Sequence, residues 1–581
     1  MGKGYLKQTG LLLLGSFCCA ASLWVPHVQQ VWGRNLFMTA DSILLLGVTI
    51  LVAFLGYYLL PDFLFSSKIT DPSRGPSKAL GFALGFFALG FLVLVLYWIN
   101  RHVLHSFLSS GDEHSCYFLA ECLRKGKLFV PIPQFADFFQ VVHVGMKGGK
   151  WFSVYPPGWP LIWAFGLRFN IVDWLNPVMA ATAVFFLYLS GERLFGRPAA
   201  VLGLIMTCLS PFFMFTAAAY FSHATCLLTI AVFLYAFLRW HEAYGQGKDP
   251  VGWAILCGIG VGYGLITRPL TMFAIAVPFL LSHYLPLFFD RKSPGGATTG
   301  SERFGWIPFR FKRPQLRKAE MVFVAIVGSF VALMFLLNIA VTGKLFKTPL
   351  KYYQSWERLG FKRGHYTPVD GFFYLIARVF YLMDWFAPAF VAAYLFLLSK
   401  IKGMDRIKAF FRFSMVFLAL AYFLYYSWGG NQWGPRYWWE GLPFLCISVA
   451  DWIVTRWKTC SVRGRKFLFV FVATSIASSG LLFIKHAEFT GEASRQRRAL
   501  YDLAERTVEQ PAIVFIHGFL GDKLVMAEED AVRNSPFLDG RILYAHDLGD
   551  RNRELMAAYP GRTFYRGTYD RKLGQPGLEK I

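Results

Sequence analysis

Two adjacent carboxylates, Asp112-Glu113, open a polar loop that closes on a Tyr155-Pro156-Pro157-Gly158 turn, with apolar segments on both sides. A carboxylate in such a place can take the proton from an attacking hydroxyl. Cations that could complete the chemistry are spread along the chain. Lys147 and Lys150 lie in the same loop, Arg268 stands before Pro269 between two apolar runs, Lys351 sits in a basic loop, and Arg436 ends the stretch Trp428-Gly429-Gly430-Asn431-Gln432-Trp433-Gly434-Pro435. Arg and Lys hold a phosphate and stabilise the charge that builds on it as it leaves. The set suits group transfer from a phospholipid-linked donor. Asp112 would be the base, and Arg268, Arg436 and one or more of Lys147, Lys150 and Lys351 the phosphate clamp. Glu113, Tyr155 and His223 are the remaining substrate-binding candidates. The two jobs call for separated groups, because attack comes from the face of the sugar opposite the phosphate.

Each residue also has a plain structural reading. An acidic pair at a helix start caps it through the macrodipole. Arginines at helix ends snorkel to the interface. A histidine such as His223 at the start of an apolar run packs and hydrogen-bonds. The Tyr-Pro-Pro-Gly turn redirects the chain into an interfacial helix. What lifts the group above these readings is that one topology brings all its members to one membrane face.

That topology follows from composition and charge. The 581-residue chain is 55% hydrophobic, 18% aromatic and 16% charged, with mean hydropathy +0.42. Soluble domains carry about 25% charged residues, so the chain belongs to the membrane class. Apolar segments long enough to span occur near 9–26, 38–60, 79–100, 174–194, 198–216, 221–240, 251–267, 270–288, 319–341, 373–399, 412–427, 437–456 and 466–485. The expectation is a polytopic α-helical membrane protein of about 13 transmembrane helices. Gly258, Gly260, Gly262 and Gly264 have neither GxGxxG nor GxxxxGK spacing and read as close helix packing, as do Gly81 and Gly85. The nine cysteines include no CxxC pair.

Net charge is +24, which in a soluble protein would suggest nucleic acid. Here its placement orients a bundle instead. Residues 291–318 carry eight Lys/Arg against one Glu, 400–412 five against one Asp, and 456–466 five with no acid. All three fall on one side when the spans alternate, and that side should be cytoplasmic. The Asp112 loop, the turns at 267–270 and 428–436, the loop 342–372 and the C-terminal tail then lie outside. The outer loop 342–372 is itself basic, which fits contact with anionic phosphate or lipid head groups. After about 486 the spans stop. A buried-strand run at Ala512–Ile516, a second strand around Ile542-Leu543-Tyr544 and a helix-like stretch at 550–558 predict a small soluble α/β domain. The expected organisation is extra N-terminal helices at 1–78, a catalytic membrane core at 79–485 with its first outer loop at 101–173, and the soluble domain at 486–581.

Asp112-Glu113 with Tyr117, Ala120-Glu121 and Gly126 reads DE-xxx-Y-xx-AE-xxxx-G ahead of Pro156-Pro157. This resembles the first periplasmic loop of GT-C glycosyltransferases, and among them the bacterial family 39-like enzymes. Those are relatives of the protein O-mannosyltransferases and of the aminoarabinose transferase that modifies lipid A. The resemblance runs from about 79 to 456 as a pattern and takes in Arg268-Pro269 and Gly434-Pro435-Arg436-Tyr437. It implies a polyprenyl-phosphate sugar donor, inversion at the anomeric centre, Asp112 as base and work at the outer face of a bacterial inner membrane. The acceptor class would be an envelope lipid, glycan or protein. The aminoarabinose transferases carry a Lys-Pro-Pro turn, and here Tyr155 stands in the lysine's place, so Lys147 or Lys150 would substitute. Oligosaccharyltransferase relatives use an acidic motif with a divalent ion. With no second acidic pair evident at this face, the expectation is a metal-independent site and no cofactor.

The alternative class is a transporter or flippase of a lipid-linked sugar. Transporters show internal repeats and polar residues at the bilayer midplane, whereas here no repeat is evident and the polar residues gather at one end. A cysteine placed at 145–149 is expected to react with a membrane-impermeant thiol reagent from outside, and one at 295–300 is not. The reverse pattern would overturn the orientation and the site with it.

Overall fold

A computed structural model describes residues 35–65, 78–291, 309–311, 317–355, 359–401, 403–427, 433–516, 532–570 and 575–581. The apolar segment 9–26, most of the basic linker 291–318 and Trp428–Gln432 lie outside them. The described chain is a helical bundle with a small sheet domain at its C-terminal end.

Among the described residues six helices are long and apolar enough to cross a membrane, and a bent pair adds a seventh. The expected count of about 13 is therefore not reproduced on length and composition. Two of the expected spans are broken. Segment 198–216 is Arg197–Cys208 followed by Pro211–Ala218, bent by 67°. Proline at the first turn of the second piece has no N–H to continue the first, so the ladder breaks there. Segment 373–399 is likewise two helices, Pro368–Trp385 and Pro388–Leu397.

The glycine reading holds at Val251–Leu265. A Cβ on Gly260 would lie 2.9 Å from the backbone N of Phe233 and from the carbonyl of Thr229, so only glycine lets this helix meet His223–Gly245 backbone to backbone. A Cβ on Gly85, by contrast, would meet nothing within 4 Å.

The loop 101–173 is not a bare connector. Ser110 caps the helix Gly111–Arg124, and Glu113 completes a capping box. The strands Val144–Lys147 and Lys150–Ser153 then form a hairpin whose two-residue turn, Gly148-Gly149, has φ of +61° and +75°. Both values suit the tight turns that glycine favours. Val130–Pro131 adds a third short strand. After the Pro-Pro turn comes the helix Gly158–Phe169, whose start packs on the turn before Arg268. Gly158 N–H donates to the Ile266 carbonyl at 2.8 Å, and Tyr263 Oη donates to the Gly158 carbonyl at 2.8 Å.

The last long helix, Val462–Thr507, has 46 residues, against about 20 needed to span. It runs unbroken through the expected boundary at 485/486 and delivers the chain to the sheet. The four strands lie in the order Ile542–His546, Ala512–Ile516, Thr563–Asp570, Gln575–Lys580, with the first three parallel and the last antiparallel. One face packs on the long helix through Leu500, Tyr501 and Ala504. The other packs on the loop 101–173 through Phe118, Phe138 and Trp151. Ala512–Ile516 is buried on both faces, which accounts for its unbroken apolar run.

Candidate functional site

Asp112 occupies the second position of its helix, and three groups converge on its carboxylate. Arg436 Nη2 is 2.5 Å from Oδ2, Tyr155 Oη donates to Oδ1, and His143 Nε2 stands 3.4 Å from Oδ1. Burial alone would raise the Asp112 pKa. Arg436, His143 and the Tyr155 hydroxyl outweigh it and bring the value down to about 2. Burial and the adjacent carboxylate push the Tyr155 hydroxyl well above its usual range, so it stays a donor. Three devices hold these partners. Ser115, one turn on from Asp112, donates to the His143 carbonyl at 2.6 Å. Arg436 lies over the Phe221 ring at 3.9 Å. Tyr155 is the residue before Pro156, so the Pro-Pro turn aims it.

A second carboxylate stands behind the first. Glu440 is fully buried; its Oε1 lies 2.9 Å from His223 Nδ1 and 3.3 Å from Arg268 Nε. Arg268 reaches on to Ser222 Oγ at 3.4 Å and Tyr422 Oη at 3.3 Å. Tyr422 stacks on Tyr437 with ring centroids 4.6 Å apart. Arg378 completes the far side. It donates to the carbonyls of Tyr422 and Ser427 and lies 5.4 Å from the Tyr437 ring. One end of the bundle thus holds two carboxylates, three guanidiniums and a cluster of tyrosines drawn from segments far apart in sequence.

Asp112, Tyr155, Arg268, Arg436 and His223 all belong to this cluster. The others do not. Lys147 Nζ lies 3.4 Å from the Tyr352 carbonyl and above the Tyr352 ring. Lys150 donates to the Ala340 carbonyl at 2.6 Å and so caps the C-terminal end of the helix Lys318–Thr342. Lys351 is exposed in the middle of the short helix Pro349–Tyr353. Among the described residues no hydrogen bond or ion pair joins these three lysines to Asp112, Arg268 or Arg436. The expected separation of base and phosphate cations is also not what the structure shows, because Arg436 is paired directly with Asp112.

Glu113 turns both carboxylate oxygens to backbone amides. Its Oε2 accepts from the Ser109 and Ser110 amides at 2.6 and 3.1 Å, and its Oε1 from the Tyr220 amide at 2.9 Å. Tyr220 belongs to the irregular segment 219–222 that follows the bent helix pair. Backbone polar groups at that depth must find partners within the protein. Asn100 takes the Ala218 carbonyl at 2.8 Å, Asn176 the carbonyls of Ala219 and Phe221, and Trp159 Nε1 the Tyr220 carbonyl at 2.7 Å. Glu113 is the acceptor in this set. Burial pushes its pKa up to about 7 against the pull of the Tyr220 and Ser109 amides.

Glu440, His143, Arg378 and Tyr422 are absent from the sequence expectation. Glu440 had a signal that could have found it: a carboxylate inside an apolar membrane run is a functional candidate by default. Arg378 carries the same signal inside the apolar run 373–399, whereas His143 stands out in no motif and only the fold brings it to the site.

A family model described as dolichyl-phosphate-mannose-protein mannosyltransferase matches residues 163–293. One described as a domain of unknown function (DUF7846) matches residues 521–579. No curated protein matches. Among solved structures, ArnT from Cupriavidus metallidurans in the apo state aligns with a TM-score of 0.50 and 12% identity, over 85% of this chain and 94% of that one. ArnT from the same organism bound to undecaprenyl phosphate aligns with a TM-score of 0.48 and 10% identity, over 83% and 93%. The archaeal oligosaccharyltransferase AglB from Archaeoglobus fulgidus, in complex with an inhibitory peptide and a dolichol-phosphate, aligns at 0.40 and 13%, over 79% and 65%. The chain is a multi-pass membrane protein. Its fold is ArnT-like, with a small C-terminal sheet domain.

Glu113→Gln tests the structural role given to that residue. Glutamine offers one accepting oxygen and would aim an NH2 at amide donors. It should cost about 1–3 kcal/mol of stability and leave lipid-donor affinity unchanged. Thermal unfolding in detergent at wild-type temperature would contradict the assignment.

Proposed function

We propose that the chain is an inverting glycosyltransferase that moves a sugar from a polyprenyl-phosphate donor to an envelope lipid, glycan or protein. The reaction takes place at the periplasmic face of a bacterial inner membrane, where the C-terminal domain also lies. The observation that carries this reading is Asp112, held ionised by Arg436, His143 and Tyr155, beside a second cationic centre at Arg268. The family match over residues 163–293 supports a polyprenyl-phosphate sugar as donor.

In this reading Arg436 has two partners in turn. Without donor it neutralises Asp112. The donor phosphate competes for the guanidinium and, with Arg268, draws it away, which restores basicity to the carboxylate. Asp112 then accepts the proton of the acceptor hydroxyl while its oxygen attacks the anomeric carbon. The bond from that carbon to the phosphate oxygen breaks, and the electron pair leaves on the phosphate. Arg268 meets the charge that develops there. Glu440 balances Arg268 when no phosphate is bound, and His223 orients Glu440. No step calls on a metal or cofactor. Lys147, Lys150 and Lys351 have no part in the clamp.

Asp112→Asn should lower turnover by about 10²–10⁴-fold without weakening donor binding, which should tighten because the phosphate no longer competes with a carboxylate for Arg436. Arg268→Ala should weaken donor binding by about 10–100-fold, as loss of a hydrogen bond to a charged group does. Because Asp112 in the free protein titrates near 2, the carboxylate is ionised at every higher pH. The acid limb of kcat/KM, which reports the free enzyme, should therefore lie low. In Arg436→Gln the carboxylate loses its largest charge-pairing partner and that limb moves to higher pH. Turnover of the Asn variant at the wild-type rate would remove Asp112 as base, and an unmoved limb would remove Arg436 as its partner.

A further inference from the structure

The segment that delivers Asp112 is held from two sides. It begins where the helix Lys78–Trp98 ends in a π-turn at Ile99–Val103. His105 and Ser106 follow with φ of +54° and +47°, a conformation that residues other than glycine seldom adopt. Ser110 then caps the Asp112 helix. On the membrane side, Glu113 ties the Ser109 and Ser110 amides to Tyr220.

On the other side its carbonyls face three arginines. Arg498 donates to the His105 carbonyl, Arg533 to the Leu108 carbonyl, and Arg497 to the Ser109 carbonyl at 3.0 Å. Arg497 and Arg498 lie on the long helix beyond the length a membrane span requires. Arg533 belongs to the sheet domain, and its guanidinium also covers the Phe107 ring at 4.8 Å. Its neighbour Asn534 fixes it in place by pairing with both the amide and the carbonyl of Tyr544, at 2.9 and 2.7 Å. Phe107 packs on Tyr501 of the long helix, ring centroids 5.5 Å apart. Hydrogen bonds from charged donors are the stronger kind, and here they close on three carbonyls, of His105, Leu108 and Ser109, within five residues of a strained lead-in.

We propose that the C-terminal domain and the extension of the long helix form a clamp, with Arg497, Arg498 and Arg533 as positioning residues that hold 105–110 and through it set the place of the Asp112 carboxylate. The inference rests on the reading of Asp112 as base. It gives the sheet domain a role in the chemistry without contact with substrate. A base displaced by about 1 Å loses on the order of 100-fold in rate, so a clamp of this kind is worth its place.

The test uses the purified full chain. In the double variant Arg497→Met/Arg533→Met, kcat should fall about 10–100-fold with the KM for the lipid donor changed by no more than about twofold. Arg533→Lys, which keeps one charged donor, should recover part of the loss when placed on the Arg497→Met background. Hydrogen exchange of the folded protein should show faster exchange at 105–112 and unchanged protection in the strand Ala512–Ile516. Wild-type kcat in the double variant, or unchanged exchange at 105–112, overturns the proposal. If the double variant fails to fold, Asn534→Ala, which loosens only the mount of Arg533, is read by the same exchange experiment with the same two outcomes. Failure of the base reading is separable: Asp112→Asn would then retain turnover while the exchange result still decides the clamp.

Discussion

The ion pair between Asp112 and Arg436 joins residues 324 positions apart at one end of an apolar bundle. Pairing two charges away from water gains only if each is well satisfied, since the desolvation of an ion costs several kcal/mol. Asp112 is, while Arg436 leaves its buried Nε without a hydrogen-bond partner among the described residues. Asp112 has Tyr155 and His143 as well, and Arg436 rests on the face of Phe221. Removing either member would leave an uncompensated charge, so the surrounding structure is arranged to keep both in place. The same pairing makes the carboxylate a weak base until something competes for the guanidinium. In the proposed reaction the donor phosphate is that competitor, shared with Arg268, which lies beside Glu440.

Much of the fold is devoted to presenting that pair. The bent helices Arg197–Cys208 and Pro211–Ala218 leave an unwound segment whose backbone is satisfied by Asn100, Asn176, Trp159 and Glu113. That segment starts the helix bearing His223. The Pro-Pro turn carries Tyr155 on one side and docks through Gly158 on the turn before Arg268 on the other. A Cβ on Gly158 would lie 2.9 Å from the Ile266 carbonyl oxygen, so the close approach requires glycine. The sheet domain closes the assembly by packing on the loop 101–173 through Phe118 and Trp151.

How much of this could be read in the residues depended on what kind of signal each carried. Asp112, Arg268 and Arg436 were legible as a group because ionisable residues at the ends of apolar runs, placed by charge alternation, have few places to be. The glycines of Val251–Leu265 were legible because their spacing fits packing and not phosphate binding. A cap and a ligand group look alike in sequence, and for Glu113 only the three amides on its oxygens reveal the cap. Lys150 is ambiguous for a similar reason, since a helix end attracts a cation as a phosphate does, and the structure places it on the Ala340 carbonyl. Glu440 escaped because it lies four residues after Arg436 and inside a run read as a plain span. The helix past 485 also escaped, because its residues turn polar where it leaves the bundle. The strands Ala512–Ile516 and Ile542–His546 were visible through their apolar runs. Thr563–Asp570 and Gln575–Lys580, mixed in polarity, were not.

The central claim is that Arg436 exchanges the Asp112 carboxylate for a donor phosphate. A density map of the full chain with a polyprenyl phosphate bound tests this most directly. The account predicts the phosphate between Arg268 and Arg436, within about 3 Å of both guanidiniums, with the Asp112–Arg436 contact opened. A phosphate seated at Lys147, Lys150 or Lys351, with the ion pair intact, would contradict it.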